Sequence, residues 1–316
     1  MVAEVMSGSR IIGWGSNLPP KVLTNDDLSE MMDTSDEWIF ERTGIRERHV
    51  GGSTGEMSIH AGQQALDSAG LTGDDIDLVI VATSTPDQIM PGTSATVHAE
   101  LGIRGGACDM QAVCSGFTYA LMAANGLIET GLERILVIGA DSLSDYVDWE
   151  DRSTAILFGD GAGAVVLERH TENTLLGFDL GADGLHRHIG FTDHDGKITM
   201  DGKEVFRTAV RAVTKSAKAA MENAGVTADD IDWFVPHQAN VRIIESIAQR
   251  LDIPMDKAIV TIQDTANNSA ATIPIALDTA IRDERVQPGD TLLLGGFGFG
   301  MTWATAIVRW DPPAND

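Results

Sequence analysis

Cysteine and basic side chains are the scarce components of this sequence. It holds 2 cysteines, Cys108 and Cys114, among 316 residues, and 22 Lys and Arg against 47 Asp and Glu. Two cysteines cannot build a disulfide scaffold, so a reducing cytoplasm is the expected setting. The formal charge of −25 argues against nucleic acid as a partner, because a phosphate backbone needs a basic field. Any anionic ligand would need a local cluster of Lys or Arg set against that background. Long apolar runs are missing too: none approaches the about 18 residues that a membrane span requires. The start, Met-Val-Ala-Glu-Val-Met-Ser, lacks a basic segment followed by an apolar core, so neither a membrane nor a secretory leader is expected.

Three motifs are present in letter but not in context. Gly51-Gly-Ser-Thr-Gly55 has the spacing of a serine-hydrolase elbow, yet the residues before it are charged and Gly-rich where a strong strand is needed. Ser53 is therefore expected to cap a helix. His186, His188, Asp193 and His194 crowd one loop without the compact helical spacing of a zinc site, so no metal is expected. Gly295-Gly-Phe-Gly-Phe-Gly300 follows a strand but leads into a second strand instead of a helix. That excludes a dinucleotide fingerprint and predicts a tight hairpin.

What is present is an alternation of helices and strands, written twice. Hydrophobic residues make up 43% of the chain, enough for a large core in one extended domain or two. Ala69-Gly-Leu-Thr-Gly-Asp-Asp-Ile-Asp77 returns as Ala224-Gly-Val-Thr-Ala-Asp-Asp-Ile-Asp232, an offset of 155. Each copy ends an amphipathic helix and opens an apolar strand. At the same offset Cys114 falls opposite Ser269, where both sequences turn into small-residue apolar helices. Apolar strands then follow at 134–139 and 291–295, and again at 164–167 and 304–308. Strands this apolar are covered on both faces. The expected fold is α/β, built from halves at residues 1–170 and 171–316 that pack about a pseudo-twofold axis. Equivalent positions then converge at the centre, which brings Cys114, His237 and Asn267 to one junction.

Those residue types suit two chemistries. Cys114, at the first turn of an apolar helix, faces unpaired N–H groups and the positive end of the helix dipole, which favours a thiolate. His237 follows an apolar strand at a position where the first half carries Ala82, so the fold itself does not ask for a histidine. In a cysteine hydrolase the histidine is a base, the asparagine orients it, and water ends the reaction. In carbon–carbon bond formation the thiolate takes an acyl group, and His and Asn donate hydrogen bonds to the thioester oxygen of a second substrate. Spacing alone does not choose between them. Near the start of the chain, Trp38, Arg42, Arg46, Arg48 and His49 form a basic cluster that stands out in so acidic a protein. It reads equally as a mouth for a phosphorylated ligand, with Trp38 stacking on a flat ring, or as a set of ion pairs.

Several long ordered motifs resemble the β-ketoacyl-acyl-carrier-protein synthase III family of the thiolase-like fold, from about residue 9 to residue 310. They are Thr34-Ser-Asp-Glu-Trp-Ile-Phe-Glu-Arg-Thr-Gly-Ile-Arg-Glu-Arg-His49, the stretch from Asp109 to Leu121, Phe158-Gly-Asp-Gly-Ala-Gly-Ala164, Val235-Pro-His-Gln-Ala-Asn-Val-Arg-Ile243, Asn267-Asn-Ser-Ala-Ala271 and Phe297-Gly-Phe-Gly-Met-Thr-Trp303. The resemblance implies a layered α-β-α-β-α fold and a homodimer. It implies that Cys114 takes an acyl group from acyl-coenzyme A, and that His237 with Asn267 promotes decarboxylation of malonyl-acyl carrier protein. Coenzyme A is then a substrate, and no tightly bound cofactor is implied. The resemblance places Trp38, Arg42 and Arg152 around the coenzyme A adenine and phosphate, Asn240 on its pantetheine arm, and the carrier protein on Arg207, Arg242 and Arg250. It assigns the oxyanion hole to the backbone N–H groups of Cys114 and Phe299. A same-fold enzyme of secondary metabolism with an unusual acyl substrate is the alternative. The chain departs from the family pattern at Ala266, where glycine is usual, and at Phe299, which replaces a glycine. Met90 stands near a position, commonly aromatic, that reaches across the dimer to limit the acyl pocket. Met90 and Phe299 are therefore expected to shape that pocket.

Overall fold

A computed structural model describes residues 8–193 and 196–313. The first half runs β1 (Gly8–Asn17), β2 (Val22–Thr24), α1 (Asn25–Met31), α2 (Asp36–Thr43), β3 (Glu47–His49), α3 (Thr54–Ala69), β4 (Leu78–Ala82), α4 (Thr93–Glu100), β5 (Gly106–Met110), α5 (Gly116–Glu129), β6 (Arg134–Ser142), α6 (Arg152–Ala155) and β7 (Asp160–His170). The second runs β8 (Leu175–Ala182), β9 (Gly190–Phe191), β10 (Thr199–Met200), α7 (Gly202–Ala224), β11 (Trp233–Pro236), α8 (Val241–Leu251), α9 (Ile262–Thr265), α10 (Thr272–Arg282), β12 (Thr291–Gly298) and β13 (Thr302–Arg309).

Helix ends follow their side chains. Thr24 and Asp27 form a capping box at α1, and Ser35 accepts from the Trp38 N–H at the start of α2. Ser53, as expected, caps α3 by accepting from Glu56 N–H. Gly44 and Gly70 stop α2 and α3 in the left-handed conformation that glycine tolerates.

The main strands form a five-stranded sheet, β1-β7-β6-β4-β5, and a four-stranded sheet, β11-β12-β13-β8. Their pairings correspond: β4 runs parallel to β6 as β11 does to β12, and β6 is antiparallel to β7 as β12 is to β13. The counterpart of β5 is reduced to an isolated bridge between Phe234 and Ala258. The Gly295–Gly300 run is a hairpin, with Gly298 opposite Thr302 across β12 and β13.

Alternation along each strand divides its side chains between two faces. Ile80 and Ala82 of β4 pack with Phe117 and Leu121 of α5 and with Ile273 and Leu277 of α10 in a core shared by both sheets. Val79 and Val81 point the other way, onto Met57, Ala61 and Leu66 of α3. On the far side, Leu293 of β12 meets Val213 of α7 and Ile247 of α8. The result is five layers, α-β-α-β-α, with α5 and α10 at the centre. Among the described residues no helix is long and apolar enough to cross a membrane.

The halves approach closely where the short 3-10 turns before α5 and α10, Val113–Ser115 and Ser269–Ala271, cross a strand of the other half. A Cβ on Gly139 of β6 would lie 2.3 Å from the Ala270 carbonyl oxygen, and one on Gly296 of β12 would lie 3.4 Å from that of Cys114. This correspondence moves the repeat by one residue. The turns before α5 and α10, and the starts of those helices, are 156 apart, so Ala270, not Ser269, matches Cys114 in space. Ser269 instead matches Val113, with φ of 52° and 50°.

Gly139→Ala is expected to force the halves apart at this crossing. Overpacking of this kind costs about 1–3 kcal/mol, read as a lower urea midpoint at unchanged slope. An unshifted midpoint would show that the crossing gives way without strain.

Candidate active site

Cys114, His237 and Asn267 line one cavity of about 420 Å³. Cys114 sits in the turn between β5 and α5, under the end of β12: a Cβ on Gly298 would lie 2.9 Å from the Cys114 nitrogen and 2.8 Å from the Ala112 carbonyl. Only a glycine lets the strand pass so close to the thiol's own backbone. His237 follows β11 and is anchored by its N–H, which donates to the Gly295 carbonyl at 2.8 Å. A Cβ on Gly296 would be 3.6 Å from the His237 Cβ, so the histidine and the cysteine turn flank the same glycine. Asn267 is clamped by its backbone to the segment before β7: its N–H donates to Leu157 and its carbonyl accepts from Gly159.

The polar atoms have defined roles. Asn267 Oδ1 accepts the Ser269 N–H at 2.9 Å, which leaves its amide hydrogens as the donors on the cavity side. His237 Nδ1 lies 2.7 Å from Thr272 Oγ1. Its Nε2 is buried and has no partner among the described residues, and its ring meets Phe297 edge-on at 5.3 Å. Burial lowers the His237 pKa to about 3, so the imidazole is neutral.

The thiol departs from the expectation drawn from its helix position. Burial pushes the Cys114 pKa up to about 12; the Ser269 hydroxyl opposes this and the buried Asp141 carboxyl adds to it. Loss of solvation outweighs the start of α5, because Cys114 lies in the preceding 3-10 turn, inside the shared core. The pair is therefore thiol and neutral imidazole.

Trp38, Arg42 and Thr43 of α2 cover the cavity beside Ser153 of α6. Arg48 is fully buried and donates to the carbonyls of Leu23 and Ile156 and to Asn25 Oδ1, pinning this cover to α6. Trp38 and Arg42 line the cavity. The guanidinium carbons of Arg42 and Arg152 lie 4.3 and 4.6 Å from the Trp38 ring centroid. Arg152 reaches the mouth through that stacking and through a hydrogen bond to the Asp33 carbonyl. Asn240 also lines the cavity, and its side chain is engaged twice: Nδ2 donates to the Arg42 carbonyl, and Oδ1 accepts from Arg242 N–H as the cap of α8.

The remaining expected residues are dispersed. Arg207, Arg242 and Arg250 are exposed on α7 and α8; Arg207 pairs with Glu204, and Arg242 donates to the Glu41 carbonyl. Phe299 lines the cavity, and its ring occupies the space a side chain at Gly190 would need, 2.4 Å from a Cβ there. Met90 is 79% exposed, beside Ile89 at 83%, and does not line the cavity of its own chain. His186 Nδ1 is 2.9 Å from Asp183 Oδ2, His194 lies outside the described residues, and among the described residues no His, Cys, Asp and Glu cluster is placed to hold a metal ion. The sequence reading missed Thr272 and Asp141, whose partners are distant in sequence. Thr272 had one visible signal, a hydroxyl residue directly after the Asn267–Ala271 motif.

Comparisons with known proteins agree along the chain. Residues 108–184 match the family described as 3-oxoacyl-[acyl-carrier-protein] synthase III, and residues 221–310 match its C-terminal counterpart. The β-ketoacyl-[acyl-carrier-protein] synthase III of Erythrobacter litoralis is 47% identical over 321 residues, covering 96% of this chain and 100% of that protein. The enzyme of the same name from Rhizobium meliloti is 48% identical over 324 residues, with 96% and 100% covered. A crystal structure of 3-oxoacyl-[acyl-carrier-protein] synthase III from Aquifex aeolicus superposes with a TM-score of 0.93 at 45% identity, over 96% of this chain and 100% of that one. The fold is thus the thiolase-like one, and the chain belongs to the β-ketoacyl-acyl-carrier-protein synthase III family.

Proposed function

We propose that the protein is an acyltransferase that starts fatty acid synthesis, joining the acyl group of an acyl-coenzyme A to malonyl-acyl carrier protein with loss of carbon dioxide. The observation that carries this reading is that Cys114 from one half and His237 and Asn267 from the other line a single cavity with Trp38 and Arg42 at its mouth. The adenine ring stacks at Trp38, and Arg42 and Arg152 meet the phosphates. Asn240, which lines the cavity, contacts the pantetheine arm.

In the first step the Cys114 sulfur attacks the thioester carbonyl. The oxyanion is held by the N–H groups of Cys114 and Phe299, the bond to the coenzyme A sulfur breaks, and the proton lost by Cys114 ends on that sulfur. The exchange consumes no net proton, which suits a thiol that burial keeps protonated. In the second step malonyl-carrier protein occupies the emptied site. Its carboxylate leaves as carbon dioxide, and negative charge builds on the thioester oxygen, where His237 Nε2 and Asn267 Nδ2 donate. The resulting carbanion attacks the acyl carbonyl on Cys114. The Cys114 sulfur departs and takes up one proton, releasing the β-ketoacyl-carrier protein. No tightly bound cofactor takes part.

Arg207, Arg242 and Arg250, exposed on α7 and α8, are the positions at which the acidic carrier protein docks. The protein works as a cytoplasmic homodimer. In support, β5 is an edge strand whose Gly106 to Asp109 are exposed, an edge that soluble proteins cover or pair. Ile89 and Met90 protrude from the same half, so that Met90 enters the partner's acyl pocket.

Incubation with acyl-coenzyme A is expected to add one acyl mass to Cys114, and malonyl-carrier protein is then expected to release carbon dioxide. Cys114→Ala abolishes both. His237→Ala and Asn267→Ala keep the adduct and slow decarboxylation by about 10²–10³-fold, the usual effect of removing one donor from a developing anion. Equal loss of adduct in all three variants contradicts the division of roles.

The thiol's pKa of about 12 gives a separate test. Alkylation of Cys114 by iodoacetamide, followed on its own peptide by mass spectrometry, should rise about tenfold per pH unit between about pH 6 and pH 9. A plateau in that range would instead reveal a thiolate–imidazolium pair.

A further inference from the structure

The unassigned contact in this site is the one behind the histidine. His237 Nε2 faces the cavity without a partner among the described residues, and what it offers a substrate depends on which ring nitrogen carries the single proton of the neutral imidazole. That choice is made at Nδ1, whose one hydrogen-bond neighbour is Thr272 Oγ1 at 2.7 Å. A threonine hydroxyl has one proton to give. Its two possible acceptors here are His237 Nδ1 and the Ser269 carbonyl, 3.1 Å away.

The two acceptors differ in need. The Ser269 carbonyl already accepts the backbone N–H of Thr272, which closes the 3-10 turn ahead of α10. Turning the hydroxyl away from it leaves no buried carbonyl stranded. His237 Nδ1 has no other donor among the described residues. Both groups are buried, with Thr272 at 1% and His237 at 3% exposure, so water does not replace a missing bond cheaply. The histidine contact is also the shorter. Among the described residues no carboxylate hydrogen-bonds the ring, and its aromatic neighbour is Phe297, edge-on, so none of them draws the proton to Nδ1 by opposite charge.

We infer that Thr272 is a positioning residue that donates its hydroxyl proton to His237 Nδ1 and thereby fixes the histidine as the Nε2–H tautomer, presenting a donor to the cavity. This rests on the proposed decarboxylation, in which a thioester oxygen needs that donor. With the opposite arrangement Nε2 would present a lone pair and repel the developing oxyanion. Thr272 comes from the helix behind the site and touches no substrate; its effect runs through the ring.

The test compares Thr272→Val, which keeps volume and removes the hydroxyl, with Thr272→Ser, which keeps the hydroxyl. In ¹⁵N-histidine-labelled protein, His237 Nδ1 is expected to show the shift of an unprotonated ring nitrogen in the parent and the Ser variant. In the Val variant it moves toward the protonated value. Decarboxylation kcat should fall about 10- to 100-fold in Thr272→Val, below the full loss of a donor because the ring remains. KM for malonyl-carrier protein and the rate of Cys114 acylation should be unchanged, and Thr272→Ser should restore kcat. A protonated Nδ1 in the parent, or a Val variant with parental spectrum and kcat, overturns the assignment. A parent that carries the unprotonated Nδ1 yet never decarboxylates malonyl-carrier protein refutes the proposed function and leaves the tautomer assignment standing.

Discussion

A buried acid at the crossing of β6 and the turn before α10 ties the two halves together. Asp141, near the end of β6 and fully buried, accepts hydrogen bonds from the hydroxyls of Thr83 and Thr85 and from the backbone N–H of Ser84, all in the first half. Its other oxygen takes the N–H of Ala270 from the second half at 3.1 Å. Burial raises its pKa; the Ser269 hydroxyl and the Ser84, Ala270 and Thr85 donors oppose the shift without cancelling it, and such hydrogen bonds are what make a buried acid tolerable. The bond to Ala270 fixes the 3-10 turn that leads to Thr272, and the same crossing brings Ala270 onto Gly139. His237 is set by Thr272, and Asn267 by the Ser269 N–H and by its backbone bonds to Leu157 and Gly159, so Asp141 and the segment before β7 together hold the turn that carries these contacts.

The duplicated architecture was legible in the sequence because it is local. The Asp-Asp-Ile-Asp turns, the helix caps at Thr24 and Ser53 and the apolar strands are each specified by neighbours a few residues away. Convergence of Cys114, His237 and Asn267 followed once the repeat was seen. What lay beyond reach depended on the distance between halves. The one-residue change of register after β11 is absorbed in turns, where sequence similarity is weak. The raised Cys114 pKa comes from burial between two sheets, a property of the packed molecule that helix position cannot report.

The mouth shows how an acidic protein keeps a positive site. Arg48 is buried without a carboxylate partner; burial lowers its pKa to about 10, which still leaves it charged at neutral pH. It is held by carbonyl oxygens and the Asn25 amide. Arg42 and Arg152 are held beside the Trp38 ring, whose face attracts cations. Arg48 and Arg42 are positioned by dipoles and an aromatic face, whereas Arg152 also lies 3.9 Å from the Asp33 carboxylate. Arg207 contrasts, since it is paired with Glu204. Arg42 and Arg152 thus meet at the Trp38 ring on a chain whose net charge is −25.

The Phe299 departure reads differently once its neighbour is known. A side chain added to the β12–β13 hairpin beside the cysteine turn has to displace something, and the structure makes room at Gly190 of β9, where a Cβ would strike the Phe299 ring. The two positions exchange volume between hairpins, and the ring packs against the buried cluster of Ile189 and Phe297 on one side and that of Phe158 and Ile198 on the other. The backbone path of residues 298 and 299 is dictated by the close pass of Gly298 over the Cys114 nitrogen, not by the side chain that follows. The N–H at position 299 can therefore keep its place while the wall of the cavity changes. Catalytic geometry here depends on the glycines that let strands cross the turns, and pocket shape depends on the side chains that fill the spaces between them. The two vary separately because different atoms set them.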